Sequence, residues 1–324
     1  MDVVRAVAII AVVVIHVSAT PIYGSDVNSS IYKIAIIINQ LSRFSVPAFI
    51  LISGMGLTLS NKKELGYFAF VGRRFSRIVP QYILWCLIYI YLTTRHFEPY
   101  GVVRDMVYGK VFYHFYYVPL IIEFYLIYPF IYRFIGKKWG LLVSFLVTLG
   151  ILIYSHYYVM SDDMKWFLER KNLFDWIFYF SLGAFIGENL DVFLEKVRKY
   201  RVVIYALFFL STYAMLQDSF TSIRISKDID YATTFLRPTV FAYSIFLVLS
   251  IFCIQWKENI FMKPISYVAK NSYSIYLSHA IILYYFTQHY INHSLAINNL
   301  QFGVKAFAVS FLGPIIINEA KSFL

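Results

Sequence analysis

Apolar residues dominate the chain in runs of about 17–25 residues, the length that crosses a bilayer as an α-helix. The runs lie near residues 3–20, 34–59, 78–95, 112–135, 139–159, 173–190, 201–217, 235–256, 266–290 and 300–319. Asp175, Gly183 and Gly187 interrupt the run at 173–190, which makes it the weakest of the set. The pattern predicts an all-α, polytopic membrane helix bundle of about ten transmembrane helices, as a single domain over residues 1–324 with no appended soluble domain.

The composition narrows the class of protein further. Hydrophobic residues make up 60% of the chain, aromatic residues 20% and charged residues 15%. A soluble domain could not cover so much apolar surface, so we expect a multi-pass protein of the plasma membrane. The net charge of +11 lies in short loops between the runs, which indicates anionic lipid and not nucleic acid as the partner. Cys86 and Cys253 both fall inside apolar runs, so no disulfide framework is predicted.

The distribution of basic residues predicts an orientation. Loops after the second, fourth, sixth and eighth runs carry more lysine and arginine than the loops on the other side, and the densest cluster is Arg73, Arg74 and Arg77. By the positive-inside rule these loops are cytoplasmic, and both termini are cytoplasmic with them. Arg5 then lies near the cytoplasmic edge of the first helix, and His16 lies deeper, past the midplane.

Two ionisable residues flank an apolar stretch in the first run, R-A-V-A-I-I-A-V-V-V-I-H from Arg5 to His16. On an α-helix these eleven steps turn through about 1100°, so the two residues share one stripe and lie about 16 Å apart along the axis. Inside a bilayer such residues usually face a protein interior or an aqueous cavity. The competing interpretation is that Arg5 snorkels to the head groups and His16 bonds to a neighbouring helix.

A basic cluster precedes the third run in the stretch G-R-R-F-S-R-I-V-P-Q-Y. Arg74 and Arg77 are i,i+3 neighbours if this stretch is helical, and Pro80 can occupy an early turn of the helix that follows. Guanidinium groups in a cluster with Arg73 suit phosphate, which they bind through paired donors. The competing interpretation is that these arginines are lipid-facing anchors that set topology.

Polar residues within later runs are further candidates. Glu123 lies mid-run, where a carboxylate must find a partner or take up a proton, and a structural pair with Arg43 is the alternative. His279 shares a helical face with Ser272 and Tyr276, which predicts a polar groove. A satisfied core histidine is an equal alternative for His279.

Small residues and a histidine pair complete the candidates. Ser53 and Gly54 lie with Gly56 in F-I-L-I-S-G-M-G, where small side chains permit close helix approach. Helix packing is the first interpretation of these residues, and lining of a site is the second. His289 and His293 are i,i+4, but no carboxylate or cysteine lies nearby in the sequence, so no metal site is predicted.

Taken in order, these elements resemble acyltransferase family 3, membrane proteins that move acyl groups onto cell-envelope carbohydrates. The family's motifs are matched by Asp2, Arg5 and His16; by Phe49, Ser53 and Gly54; by Arg74, Arg77, Pro80 and Tyr82; by Glu123, Phe124, Tyr125 and Pro129; and by Ser272 to His279. No single element is specific, whereas five in order are. The glutamate departs from the pattern, because it sits closer to Phe124 and Tyr125 than in many members. Residues 175–187 are similar to the members of the adhesin polysaccharide (poly-N-acetylglucosamine) type.

The resemblance implies a membrane O-acyltransferase that moves an acetyl or succinyl group from acyl-CoA, on the cytoplasmic side, to a hydroxyl of a cell-surface or exported polysaccharide. It implies the following roles: His16 as general base or acyl carrier; Glu123 as a catalytic group that orients a histidine or a sugar hydroxyl; Arg5, Arg73, Arg74 and Arg77 as ligands of acyl-CoA; and Arg43, Ser53, Tyr276 and His279 as substrate-binding residues. It implies no metal and no permanently bound cofactor. The expected partners are acyl-CoA, the glycan acceptor, the bilayer, and polysaccharide synthase components or a second copy of the chain.

Two other classes of protein compete with the enzyme. A polysaccharide exporter or flippase without acyl transfer also has many helices and charges within the membrane. A lipid-binding scaffold is the third class, but it leaves the stripe of Arg5 and His16 unexplained. Binding of CoA separates the first two, because a transporter has no reason to bind it.

Overall fold

The computed structural model describes residues 1–60, 66–93, 98–157, 172–226, 229–257 and 259–322. Within these ranges every regular element is helical: α1 Asp2–Gly24, α2 Ser30–Leu41, α3 Ser45–Leu59, α4 Tyr67–Thr93, α5 Pro99–Val107, α6 Tyr117–Ile135, α7 Lys138–Tyr157, α8 Ile177–Glu188, α9 Leu190–Lys199, α10 Arg201–Ser226, α11 Ile229–Ala232, α12 Pro238–Cys253, α13 Met262–Asn292 and α14 Leu300–Ser322, with a 3₁₀ turn at Leu173–Asp175. Each predicted run therefore contains a helix, although the predicted ends at 94–95 and 158–159 lie outside the described residues.

The helices are those of a multi-pass membrane protein. Among the described residues, seven helical segments are long and apolar enough to cross a bilayer, and the pair α8 and α9 makes up to eight if it forms one span. The seven include Ser30–Leu59, in which α2 and α3 are separated by a short break. Helix α12 is apolar but shorter, with 16 residues, and α13 has 31 residues but carries more polar side chains. The all-α membrane fold is confirmed, and the orientation of the termini stays a prediction.

The chain divides into two compact units. Unit 1 contains Met1–Phe49 and Asp191–Leu324, and unit 2 contains Ile50–Leu190. In unit 1, α1 packs against α2, α13 and α14, and α10 packs against α12. Small and β-branched residues of α1 such as Ala8, Ile9 and Val13 are fully buried there, which allows the neighbouring helices to come close.

Close helix packing organises unit 2, where α8 lies against α3. A Cβ atom placed on Gly54 would overlap the carbonyl oxygen of Phe180, and one on Gly183 would overlap the carbonyl oxygen of Leu51. The prediction that Gly54 permits close approach is confirmed. The glycines of α8 do not interrupt its helix, which begins at Ile177, just after Asp175; Gly183 is instead part of the contact surface.

Gly183→Ala is expected to lower the thermal unfolding midpoint of the protein in detergent. The added methyl group must displace α3 backbone, and overpacking of this kind costs about 1–3 kcal/mol. Gly150→Ala on α7 is the matched control, because a Cβ atom there meets nothing within 4 Å. That control should be neutral or slightly stabilising, since alanine favours helix over glycine by about 1 kcal/mol. Equal midpoints for the two variants would show that the contact between α3 and α8 does not require a glycine at position 183.

Helix α4 differs from the sequence prediction at its start. It begins at Tyr67, so the basic cluster and Pro80 lie inside the helix and not before it. Pro80 therefore occupies the helix interior instead of an early turn, where it cannot donate a backbone hydrogen bond. The i,i+3 relation of Arg74 and Arg77 is confirmed by this helix.

A buried ion pair in unit 1 corrects the interpretation of one loop charge. Arg237 precedes α12 and is one of the basic residues that the orientation prediction assigns to a loop, yet its side chain is completely buried. Its guanidinium donates to Asp218 Oδ2 at 3.0 Å and to Gln40 Oε1, and Thr239 Oγ1 donates to the same Asp218 oxygen at 2.5 Å. The network ties α2, α10 and the start of α12 together. Because Arg237 is paired inside the protein, its charge gives no information about the orientation of the chain in the membrane.

Candidate functional site

The first candidate pair lies on a single uninterrupted helix. Helix α1 runs from Asp2 to Gly24, so Arg5 and His16 share one face about 16 Å apart by the helix rise. The Arg5 guanidinium lies 3.7 Å from the carboxylate of Asp2, one turn earlier on the same helix. Asp2 therefore neutralises part of the Arg5 charge. Both side chains are partly exposed, so this weak pair leaves Arg5 able to bind an anion.

His16 lies against a second histidine, which comes from α13. The His16 and His279 rings are stacked, with centroids 5.1 Å apart and planes inclined by 30°. His279 is completely buried, whereas His16 is partly exposed. Tyr276 is also buried, and its ring centroid lies 6.4 Å from that of His279. The structure thus places the predicted site residue His279 of α13 beside the predicted catalytic residue of α1, with Tyr276 next to His279.

An asparagine of α2 holds the α1 backbone at the level of His16. The Asn39 amide donates to the Ile15 carbonyl at 3.1 Å and to Ser18 Oγ at 2.9 Å. Ser18 Oγ in turn donates to the same Ile15 carbonyl at 3.0 Å. Asn39 is almost completely buried, so these hydrogen bonds are shielded from water. They fix Ile15, directly before His16, and Ser18, two residues after it.

Arg43 is the buried cation of this region. Its Nε and Nη2 atoms donate to Asn39 Oδ1 at 2.9 and 2.6 Å, and its guanidinium lies 4.6 Å from the ring centroid of Phe235. Arg43 follows α2 at the break before α3, which lets its side chain turn into unit 1. Through Asn39 it is connected to the backbone beside His16. The predicted substrate-binding residue Arg43 thus belongs to the polar cluster that holds the α1 backbone next to His16.

The basic cluster belongs to unit 2. Arg74 Nη2 donates to Ser60 Oγ at 2.7 Å, and its guanidinium lies 5.6 Å from the Phe70 ring centroid. Arg73 and Arg77 are exposed on the same helix. Two of the three guanidinium groups therefore face solvent or head groups, while Arg74 is directed by its contacts with Ser60 and Phe70.

Glu123 and Ser53 also belong to unit 2. Glu123 lies on α6 with an exposed side chain, next to the fully buried Phe124. Ser53 lies on α3 and is partly buried, one residue before Gly54. Binding of acyl-CoA by Arg5, Arg74 and Arg77 stays a prediction, as does a role for Glu123 in the reaction.

Comparison with known proteins identifies the family of this chain. A sequence profile of the family described as an acyltransferase domain matches residues 1–319. The chain belongs to acyltransferase family 3. The predicted family is confirmed, and with it the class of multi-pass membrane acyltransferases.

Relatives in this family are similar to most of the chain. A probable poly-beta-1,6-N-acetyl-D-glucosamine export protein of Staphylococcus aureus (strain MRSA252) is 29% identical over 272 residues, which cover 76% of this chain and 71% of the relative. A protein of the same description from Staphylococcus epidermidis is 26% identical over 294 residues, covering 86% of this chain and 79% of the relative. No solved structure matches the chain.

The structure brings together two acyltransferase family 3 motifs that are far apart in the sequence, because His16 ends the first and His279 ends the last. Sequence reasoning missed Asn39, which links Arg43 to the backbone beside His16. A signal was present, since Asn39 and Arg43 are i,i+4 within a hydrophobic run. Polar residues at membrane depth usually serve function or buried pairing.

Proposed function

We propose that this member of acyltransferase family 3 is an O-acyltransferase that moves an acetyl or succinyl group from acyl-CoA to a hydroxyl of an exported polysaccharide. The stacked pair of His16 and His279 carries the proposal. It places the partly accessible imidazole of His16 against a buried histidine, in a chain that belongs to an acyltransferase family. The names of the relatives favour a β-1,6-linked N-acetylglucosamine polymer as the acceptor.

In this proposal His16 acts as a general base. It takes the proton of the sugar hydroxyl while the hydroxyl oxygen bonds to the acyl carbon of the thioester. The bond between that carbon and sulfur breaks, and His16 returns the proton to the thiolate to give CoA. An alternative course forms an acyl group on His16 first and transfers it to the hydroxyl in a second step. Rapid quenching followed by mass spectrometry of the peptide that contains His16 separates the two courses.

Arginines are assigned to the donor in the same proposal. The exposed guanidinium groups of Arg73 and Arg77, together with Arg74, suit the phosphates of acyl-CoA. Arg5 is the cation of unit 1 that shares a helix face with His16. The uncharged pantetheine arm can enter an apolar region, whereas the phosphates would be costly to desolvate and should stay with the arginines. Glu123 is assigned to the orientation of a sugar hydroxyl.

Arg77→Ala is expected to raise the apparent KM for acyl-CoA by about 10- to 100-fold with little change in kcat, because one charge-assisted hydrogen bond is worth about 1.5–3 kcal/mol. Arg74→Ala should raise KM in the same way. Initial rates at varied acyl-CoA and saturating acceptor measure both effects.

Two controls separate donor binding from structure and topology. Ser60→Ala removes a hydrogen-bond acceptor of Arg74 but keeps the arginine's charge and its contact with Phe70, so KM should change much less than in Arg74→Ala. Lys138→Ala removes an exposed charge at the start of α7 and should also leave KM unchanged. If the arginine variants change only membrane orientation, measured by labelling of single cysteines, they are topological anchors.

The direct test uses purified protein in nanodiscs with acetyl-CoA or succinyl-CoA and β-1,6-linked N-acetylglucosamine oligomers. Formation of CoA and of an ester-bearing oligomer is expected, with both products detected by chromatography and mass spectrometry. Saturable acyl-CoA binding without any transfer or hydrolysis would count against the enzyme.

Polysaccharide export without acyl transfer is the second candidate, and the names of the relatives favour it. An exporter should move labelled oligomers across a proteoliposome membrane in the absence of acyl-CoA. The enzyme should not need such movement to acylate oligomers in detergent. Oligomer transport that is insensitive to His16→Ala would support export.

A further inference from the structure

The side-chain amide of Asn39 has only one orientation that satisfies its neighbours. A guanidinium group can only donate hydrogen bonds, so the atom that meets Arg43 Nε at 2.9 Å and Nη2 at 2.6 Å must be the amide oxygen. A carbonyl oxygen can only accept, so the atom 3.1 Å from the Ile15 carbonyl oxygen must be the amide nitrogen. Asn39 therefore bridges a buried cation and the backbone of α1.

The bridge holds α1 at two points, one on each side of His16 along the chain. The amide nitrogen donates to the Ile15 carbonyl and, at 2.9 Å, to Ser18 Oγ. Ser18 Oγ donates in turn to the Ile15 carbonyl at 3.0 Å. Asn39 and Ser18 are both buried. A hydrogen bond lost at such a position is not replaced by one to bulk water, so the turn that carries His16 depends on this amide.

The other end of the bridge is fixed as well. Arg43 follows Asn39 by four residues and is itself buried, with its guanidinium 4.6 Å from the centroid of the Phe235 ring. Two of its nitrogens meet the same amide oxygen, which prevents the amide from turning over. Hydrogen bonds in a chain polarise one another, so the charge of Arg43 strengthens the bond from Asn39 to the Ile15 carbonyl.

We propose that Asn39 is a positioning residue for His16 and that Arg43 acts through Asn39. The bridge sets the height and the rotation of the turn of α1 from which the His16 imidazole extends. Misplacement of a reacting group by about 1 Å can lower a rate by about 100-fold. The inference rests on the proposed acyl transfer, in which His16 is the base. It assigns Arg43 to the alignment of that base instead of to contact with the substrate.

Asn39→Asp separates the two ends of the bridge. A carboxylate keeps the acceptor for Arg43, but it has no hydrogen to donate and so meets the Ile15 carbonyl with a second acceptor. We expect kcat to fall by about 10- to 100-fold, with little change in the KM for acyl-CoA or for the N-acetylglucosamine oligomer. Arg43→Ala should also lower kcat, whereas Arg43→Lys keeps a charged donor and should recover part of the loss.

Gln40→Leu is the matched control. Gln40 is the next residue of α2, is fully buried and also accepts from a buried guanidinium, that of Arg237. This contact leads to Asp218 on α10 and not to α1. The control should lower the thermal unfolding midpoint and leave kcat of the folded protein unchanged. An equal fall of kcat in Gln40→Leu and Asn39→Asp would overturn the proposal, because general loosening of unit 1 would explain both.

Ser18→Ala is the milder variant, which serves if Asn39→Asp does not fold. It removes one of the two points at which the amide holds α1 and keeps the bond to the Ile15 carbonyl. We expect a smaller loss of kcat than in Asn39→Asp, again without a rise in either KM. Unchanged kcat in both Ser18→Ala and Arg43→Ala would overturn the proposal.

A double variant distinguishes positioning from general support. If Asn39 acts only through His16, Asn39→Asp combined with His16→Gln should be as slow as His16→Gln alone. A further loss in the double variant would overturn the proposal. A rise in KM with unchanged kcat in the Asn39 and Arg43 variants would also overturn it, because these residues would then contact a substrate.

Imidazole NMR signals of isotope-labelled histidine keep this inference apart from the proposed function. The signal that disappears in His16→Gln belongs to His16, and it should shift in Asn39→Asp but not in Gln40→Leu. If the wild type transfers no acyl group and the signal still shifts in this way, the proposed function fails and the positioning stands. If the wild type transfers acyl groups and the signal is the same in Asn39→Asp, the positioning alone is overturned. No transfer and no shift would overturn both.

Discussion

Replacement of His16 by alanine is expected to lower the rate of acyl transfer by more than about 100-fold, because the variant has no group to accept the hydroxyl proton. The helix that carries His16 is held by Asn39 through backbone and Ser18 contacts, which the substitution leaves in place. Folding should therefore persist, and kcat should fall more than the KM for either substrate changes.

Two control variants, His16→Gln and His289→Ala, accompany this experiment. Glutamine keeps much of the size of histidine but is not basic. His16→Gln should therefore be as inactive as His16→Ala, which would show that the loss of activity does not come from looser packing against His279. His289 is exposed near the end of α13, and its replacement should leave turnover unchanged. Near wild-type turnover in a folded His16 variant would falsify the assignment of His16 as the base.

Loss of the Asp218 carboxylate is expected to lower the free energy of unfolding by about 3–5 kcal/mol, because it leaves a buried guanidinium without its anion. Arg237 is completely buried, and Gln40 would be its neutral acceptor. Arg237→Ala should cost less, since Asp218 is 19% exposed and keeps the hydrogen bond from Thr239. Thermal and denaturant unfolding in detergent measure the difference.

A variant that removes both charges tests the origin of this cost. Asp218→Leu combined with Arg237→Met should be more stable than Asp218→Ala alone, because no uncompensated charge is left in the unit. Arg224→Ala is the matched control, since Arg224 is exposed on the same helix as Asp218. Equal losses for the double variant and Asp218→Ala would show that packing, and not charge, sets the cost.

Local patterns in the sequence were sufficient to predict the helices and the relative positions of residues on one helix. The apolar runs predicted where helices lie, because a membrane span must satisfy its backbone hydrogen bonds internally and therefore becomes helical. The shared face of Arg5 and His16 follows from the same helical period, and so does the i,i+3 relation of Arg74 and Arg77. The five motifs in order were sufficient to predict the family.

Only the tertiary structure decided which helices meet and which polar groups become partners. His16 and His279 come from α1 and α13, and no local period relates residues so far apart in the chain. The same holds for the ion pair of Arg237 with Asp218, which the sequence presented as one more loop charge, and for the contact of Gly183 with Leu51. Each of these depends on side-chain fit between helices, because in lipid the apolar surfaces alone do not select a neighbour, whereas close packing and buried hydrogen bonds do.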